Sequence, residues 1–335
     1  MNILVIRNDK LGDFMLAWPA ISLLKQQYSN SVITALVPSY TKPVAQLCPW
    51  IDDIIIDERN GVLNLAWAIK QRHFDASISL FSELRTAAAL WLARVPVRVG
   101  PATKIAQIFL NRRLRQKRSL SLKPEFEYNV DLSKYYIQLN GDAPAEPAQP
   151  PYLVLDTKET IKNQYIAEND IPGNKQLVFI HPGSGGSAVN LSLQQYAQLA
   201  SEIAKPTDVH FVITAGPDEI ETARALAGQL QAHSCSVFHS LKGLARFAHF
   251  INICDLFISG STGPLHIAGA LNVPTAAFYP ARRSATSLRW QTLNEENRRI
   301  YFSPDKYIKA ASKLDININR CADEISVFLG KLQAG

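Results

Sequence analysis

The chain has 335 residues, a length that fits two domains of ordinary size. Apolar residues make up 47% and charged residues 19%, with 19 prolines and 16 glycines spread along it, which excludes a disordered, collagen-like or disulfide-scaffold protein. The net charge of +6 is local: seven Lys and Arg and no acid lie between Pro101 and Pro124, and the other residues sum to −1. That predicts one anionic surface or ligand and argues against nucleic acid as a partner.

The N-terminus, Met1–Asp9, reads as a buried strand entering a polar turn. It has neither the basic segment nor the cleavage site of a signal peptide, and no apolar run reaches the roughly 18 residues of a membrane span. Cys48, Cys235, Cys254 and Cys321 fit no zinc or redox spacing and read as structural thiols of a reducing cytoplasm.

In chain order, the first half predicts strands at Asn2–Ile6, Ser31–Leu36, Asp53–Ile56, Ala76–Leu80 and Val97–Gly100. Apolar-periodic helical segments lie between them at Phe14–Gln27, Lys42–Leu47, Val62–Gln71 and Glu83–Ala93. The alternation implies a parallel sheet with helices on both faces. After the first strand, Gly12 permits a turn and Asp13 stands at the entrance of the next helix. Asp13 is either an N-cap or a carboxylate facing a cleft, where it can act as a general base. The basic stretch Arg112–Arg118, with Arg112, Arg113 and Arg115, reads as a patch for a membrane surface or a phosphorylated acceptor. The alternative is a solvated loop or helix face.

Asn140–Pro151, NGDAPAEPAQPP, is the best linker candidate and sets expected domains at 1–150 and 151–335. The second half repeats the alternation. Its strands are expected at Leu177–His181, Val209–Ala215, Ser236–His239, Leu256–Ser259 and Thr275–Tyr279. Its helices are expected at Leu193–Ala204, Glu219–His233, Leu241–Cys254 and Thr262–Leu271, with a final amphipathic helix at Cys321–Leu332.

Three turns of this half follow strands directly. His181-Pro-Gly-Ser-Gly-Gly-Ser187 allows close backbone approach to a ligand at Gly183, Ser184 and Gly185, or is a flexible connection. In Thr214-Ala-Gly-Pro-Asp-Glu219 the carboxylate of Glu219 either holds ribose hydroxyls or caps a helix. Gly260-Ser261-Thr262-Gly263, followed by Pro264, directs free amides and a helix N-terminus at an anion, with His266 one turn on as a donor. The plainer alternative there is a structural turn with a satisfied histidine. No GxGxxG follows the first strand, which argues against a dinucleotide-dependent enzyme.

These segments together resemble glycosyltransferase family 9, the ADP-heptose:lipopolysaccharide heptosyltransferases. The resemblance is carried by Arg7–Ile21, His181–Ser192, Ala215–Glu219 and, most specifically, Ser259–Tyr279. It implies an α/β GT-B fold of two facing Rossmann-like domains, with a C-terminal helix returning to the first. The first domain would bind the lipopolysaccharide core acceptor, and the basic stretch read above offers Arg112, Arg113 and Arg115 for it. The second would bind ADP-heptose or a related nucleotide sugar through Gly183, Ser184, Gly185, Glu219, Ser261, Thr262, Gly263 and His266. The resemblance implies inverting, metal-independent transfer with Asp13 as the catalytic carboxylate and no cofactor. The expected location is the cytoplasm, with peripheral contact at the inner face of the inner membrane.

Two positions depart from the family pattern. Val189 stands where a Lys or Arg is usual, so the cation facing the leaving diphosphate would come from elsewhere, with Lys10, Arg282 and Arg283 as candidates. Ser261 stands where some members carry Asp. A transferase using another sugar or acceptor, and a non-catalytic sugar-nucleotide binder, are the alternatives these departures leave open.

Overall fold

The computed structural model describes residues 1–185, 189–305 and 314–334. The chain divides between Tyr152 and Leu153 into two compact units. The first contains β1 (Asn2–Ile6), α1 (Leu11–Met15), α2 (Trp18–Gln27), β2 (Val32–Val37), α3 (Lys42–Ala45), β3 (Asp53–Ile56) and α4 (Val62–Lys70). It continues with β4 (Ala76–Ser79), α5 (Leu84–Leu92), β5 (Val97–Pro101), a 3₁₀ turn at Ile105–Phe109, β6 (Arg112–Leu114) and α6 (Glu125–Leu139). Its six strands are parallel in the order β3-β2-β1-β4-β5-β6. β1 lies at the centre with Ile3, Leu4, Val5 and Ile6 buried, as expected of a strand covered on both faces.

The second unit contains α7 (Lys158–Glu168), β7 (Gln176–His181), α8 (Leu193–Ala204), β8 (Val209–Ala215), α9 (Ile220–Gln229), β9 (Cys235–His239) and α10 (Gly243–Ile251). β10 (Leu256–Gly260), α11 (Gly263–Ala270), β11 (Thr275–Phe278), β12 (Arg299–Phe302) and α12 (Ile318–Ala334) follow. Its sheet is also parallel, in the order β12-β11-β10-β7-β8-β9. Each unit therefore has the doubly wound nucleotide-fold order, with three strands on each side of a central switch.

Local chemistry explains where the elements differ from the sequence expectation. The segment expected as one helix over Phe14–Gln27 is two helices, because Pro19 supplies no amide and its ring excludes a helical carbonyl four residues back. The basic stretch begins as an edge strand, Arg112–Leu114, paired with β5, and continues through residues 115–117 as a connection without regular structure. The unexpected helix α6 starts after Pro124 with Glu125 and Glu127 in its first turn, where carboxylates suit the helix dipole. It is fastened to the first unit by buried polar bonds. Ser133 Oγ donates to the Ala20 carbonyl at 3.0 Å, and Asn129 Nδ2 donates to the Leu16 carbonyl, freed by the helix break, at 2.9 Å.

The proline-rich stretch after α6 lies along the first unit. The amides of Ala145 and Ala148 donate to Gln27 Oε1 and Ser22 Oγ at 3.0 and 3.1 Å. α12 packs a stripe of Ile318, Cys321, Ala322, Ile325 and Leu329 into the second unit's core beside Tyr196, Leu199 and Ile203 of α8. Burial of each large aliphatic in that stripe contributes about 1.5–3 kcal/mol. All four cysteines are free thiols. Among the described residues no helix is long and apolar enough to cross a membrane.

Candidate active site

In a doubly wound sheet the chain order reverses at one point, and a crevice opens there beyond the carboxyl ends of the strands. That point lies between β1 and β4 in the first unit and between β7 and β10 in the second. The turns of Asp13, of Gly183, Ser184 and Gly185, and of Ser261, Thr262 and Gly263 fall at these two places, and that of Glu219 follows the adjacent β8.

In the first unit β1 delivers Arg7, whose side chain is only 3% exposed, into the crevice. Its guanidinium spans the switch by donating to the Leu80 carbonyl at 3.2 Å beyond β4. It also donates to Asp9 at 2.9 Å, to Glu125 at 3.1 Å, to Asn129 Oδ1 at 3.2 Å and to Asp13 Oδ1 at 2.5 Å. Asp13 is the third residue of α1. It is not the N-cap, a position held by Lys10 without a side-chain bond.

Burial is the largest influence on the Asp13 carboxyl and pushes its pKa up to about 7; Arg7 pulls it down, and Asp9 and Glu125 push it up again. Burial disfavours the charged form, and the one guanidinium that opposes this is shared among three carboxylates. A carboxylate tuned near neutrality is suited to accept a proton at physiological pH.

Beside this group lies a second polar cluster. Asn8 Nδ2 donates to Asp57 at 2.6 Å and to Glu83 at 3.2 Å, while Arg85 pairs with both carboxylates. Burial raises Asp57, but hydrogen bonds from Arg85, Asn8 and the Arg59 amide outweigh it and hold the pKa below the ordinary value. Of the basic stretch, Arg112, Arg113 and Arg115 are exposed. Arg118 turns inward to Glu125 at 2.7 Å and to the Leu80 carbonyl at 3.0 Å. An open groove of about 370 Å³ runs past Arg115, Lys117, Lys123 and Tyr128.

The second unit's crevice is built from amides and small side chains. β10, β7 and β8 are neighbours, so the turns beyond their carboxyl ends adjoin. Glu219 accepts from the Gly185 amide at 3.0 Å and the Gly216 amide at 3.1 Å, tying two of these turns together. It makes no capping bond to α9. Its carboxylate lies against Gly183, where a Cβ would come within 2.2 Å of it, so any larger residue there would displace the carboxylate from this position. His181 is buried, with Nδ1 3.0 Å from Thr214 Oγ1 and Nε2 3.4 Å from Glu219; burial lowers its pKa, against the pull of Glu219.

Across the switch, Asn190 donates to the Pro182 carbonyl at 3.1 Å and accepts from Tyr196 OH at 2.7 Å. Its amide lies over Gly260, where a Cβ would meet it at 2.6 Å. α11 begins at Gly263 with no side-chain cap, because the Thr262 hydroxyl pairs with Ser259 at 3.0 Å. Its first-turn amides are thereby left for a ligand. His266 is buried with Nδ1 unpartnered, and burial pushes its pKa down to about 4, so the ring is neutral at pH 7.

The structure thus brings Gly183, Ser184, Gly185 and Glu219 together, with Ser261, Thr262, Gly263 and His266 one strand away. Gly186, Ser187 and Ala188 lie outside the described residues. Val189 packs on the apolar core, while Lys10, Arg282 and Arg283 are exposed. Sequence reasoning missed Glu125 and Asn129, the Asn8–Asp57–Glu83–Arg85 cluster and the role of Asn190. For the first two, the signal available was Pro124 followed by an acidic first turn.

Comparison with known proteins agrees with this architecture. The model of glycosyltransferase family 9 (heptosyltransferase) matches residues 62–311. The chain is 44% identical, over 98% of its length and 96% of the other's, to a Haemophilus influenzae protein whose glycosyltransferase assignment is provisional. It is 22% identical to lipopolysaccharide heptosyltransferase 2 of Salmonella typhimurium over 83% of this chain and 82% of that one. The fold matches the solved structure of Escherichia coli ADP-heptose lipopolysaccharide heptosyltransferase II with a TM-score of 0.80 at 19% identity, covering 99% of this chain and 100% of that one. Two doubly wound parallel units on the GT-B plan, with an amide-lined crevice in one and a buried carboxylate in the other, are therefore those of a sugar-transferring enzyme, and the chain belongs to glycosyltransferase family 9, the heptosyltransferase family.

Proposed function

We propose that the protein transfers heptose from ADP-heptose to the inner core of lipopolysaccharide, with inversion at the anomeric carbon. The observation that carries the reading is Asp13: a buried carboxyl at the β1–β4 switch, held by Arg7 and raised toward neutrality. In the proposed step an acceptor hydroxyl attacks the anomeric carbon. The bond from that carbon to the β-phosphate oxygen breaks, ADP departs and the proton passes to Asp13. General-base assistance of this kind supplies roughly 10²–10⁴-fold in rate.

The donor belongs to the second unit in this proposal. The diphosphate rests on the amides of Ser261, Thr262 and Gly263 at the start of α11, with His266 beneath, and meets Gly183, Ser184 and Gly185 on its other side. Fixed donors facing the charge that develops on the leaving group are worth about 2.7–4 kcal/mol each. Glu219 is assigned to the ribose, and its bonds to the Gly185 and Gly216 amides fix its position. Arg282 and Arg283, exposed beyond β11, are proposed to supply the charge that Val189 lacks. Arg112, Arg113 and Arg115 are assigned to the anionic acceptor. The reaction is placed in the cytoplasm, with peripheral contact at the inner face of the inner membrane.

Apolar Val189 and the 22% identity to a heptosyltransferase favour one second reading, a family 9 transferase that uses another nucleotide sugar or acceptor. A thermal-shift panel of ADP, UDP and GDP followed by turnover with ADP-heptose tests both. Stabilisation by ADP alone, together with heptose transfer, supports the first. Preference for another nucleotide, with no turnover of ADP-heptose, replaces it with the second.

A further inference from the structure

The first unit carries an apolar face that none of its own elements covers. α4 and α5 lie side by side on the sheet, burying Leu65, Ala66, Ile69, Ala89 and Leu90. The 3₁₀ turn at Ile105–Phe109 packs next to α5, with the Phe109 ring 5.8 Å from that of Trp91. On the outer side of these three elements Leu63, Trp67, Leu84, Trp91, Ile105 and Ile108 are 47–70% exposed. Leu63 and Trp67 are one helical turn apart. Leu84 and Trp91 are two turns apart, with Ala88 between, so each helix presents a stripe. Isolated surface apolars are ordinary, but a contiguous patch holding two tryptophans marks an interaction site.

Charge identifies the occupant. Between Glu83 and Glu125 the chain has ten Lys and Arg and no acid. Exposed cations flank the patch: Lys70 lies one turn from Trp67, Arg94 three residues after Trp91, Lys104 next to Ile105, and Arg112 four residues after Ile108. Indole and aliphatic groups at headgroup depth, ringed by Lys and Arg, are complementary to an anionic bilayer.

We infer that the outer face of α4, α5 and the Ile105–Phe109 turn docks the enzyme on anionic phospholipid membrane, with Trp67 and Trp91 at the headgroup boundary. The inference deepens the proposed function, on whose lipid-linked acceptor its purpose rests, because it assigns the surface that brings the first unit to where such an acceptor resides.

The test uses the full chain with vesicles of phosphatidylcholine alone and with about one-third phosphatidylglycerol. Wild-type protein should sediment with the acidic vesicles, less so in high salt, and lipids brominated near the headgroup should quench its tryptophan emission. Trp67→Ser with Ile105→Ser and Ile108→Ser should lower vesicle partitioning about tenfold or more. Because Trp91 rests on Phe109, Trp91→Ser is kept as a separate variant, with its melting temperature measured.

Three results would each overturn the inference: no binding of wild type to acidic vesicles, equal binding by the triple variant, or self-association abolished by the same substitutions without vesicle binding. The last would make the face an interface between copies. Transfer to a delipidated acceptor separates this inference from the reaction. The triple variant should match wild type there. Loss of transfer in both proteins with vesicle binding intact defeats the proposed reaction and leaves the docking face standing.

Discussion

The two crevices occupy equivalent places in equivalent sheets and are built from opposite materials. In the first unit the switch point is crowded with full charges: Arg7 among Asp9, Asp13 and Glu125, and Arg85 between Asp57 and Glu83. In the second it is lined by glycines, hydroxyls and amides, with Glu219 satisfied by two of those amides. The contrast follows from what each is proposed to do. A carboxyl that must take up a proton needs neighbours that set its affinity for protons, which buried charges do strongly. A surface that must hold a diphosphate needs donors that cost little to reorganise, which backbone amides at a helix start provide.

The comparison can be broken first at Asp13. Asp13→Ala should lower transfer by roughly 10²–10⁴-fold and leave the ADP-induced thermal shift as in wild type. A parallel loss of ADP stabilisation would show that the two crevices are not functionally separate. Next in size is Arg7→Met, which leaves Asp9, Asp13 and Glu125 without their shared cation. Removing one partner of a buried ionic group costs about 3–5 kcal/mol, so urea unfolding should show a loss of that order in the first unit.

A smaller effect is expected from pH. Asp13 is a base only when ionised, so with its pKa pushed up to about 7 the transfer rate should rise with pH through neutrality and level off above. At pH 5.5 it should lie roughly thirtyfold below the plateau, while ADP binding, which uses amides, should change far less. A flat profile from pH 5.5 to 8 would remove Asp13 from the chemistry. The smallest effect sharpens the comparison from the other side. Gly183→Ala places a methyl where the Glu219 carboxylate lies, 2.2 Å away. Glu219 must swing out and release the Gly185 amide. The expected cost is about 1–3 kcal/mol, with a weakened ADP shift and unchanged folding of the first unit.

The sheets were legible in the sequence because parallel strands are buried on both faces and read as short apolar runs, as β1, β7 and β8 do. β6 was not, since an edge strand of Arg-Arg-Leu carries its information in backbone pairing with β5 rather than in burial. α6 was missed because its buried face mixes Glu125, Asn129 and Ser133 with tyrosines and aliphatics, which blurs the periodicity. The candidate site divides the same way. Asp13 and the glycine turns announce themselves by residue type beside a strand end. Glu125 is 118 residues from Arg7, and only the folded sheet brings them within 3.1 Å.

The break at Leu16–Ala17 sets Asp13 on a five-residue helix of its own, with Asn129 closing the gap between it and the long α2. Small shifts along the buried α2 therefore need not be conveyed along a continuous rod to the carboxylate. The proposed base sits on a detached stub bolted to the sheet through Arg7, so remodelling of the surrounding helices can proceed around it while Asp13 keeps its place.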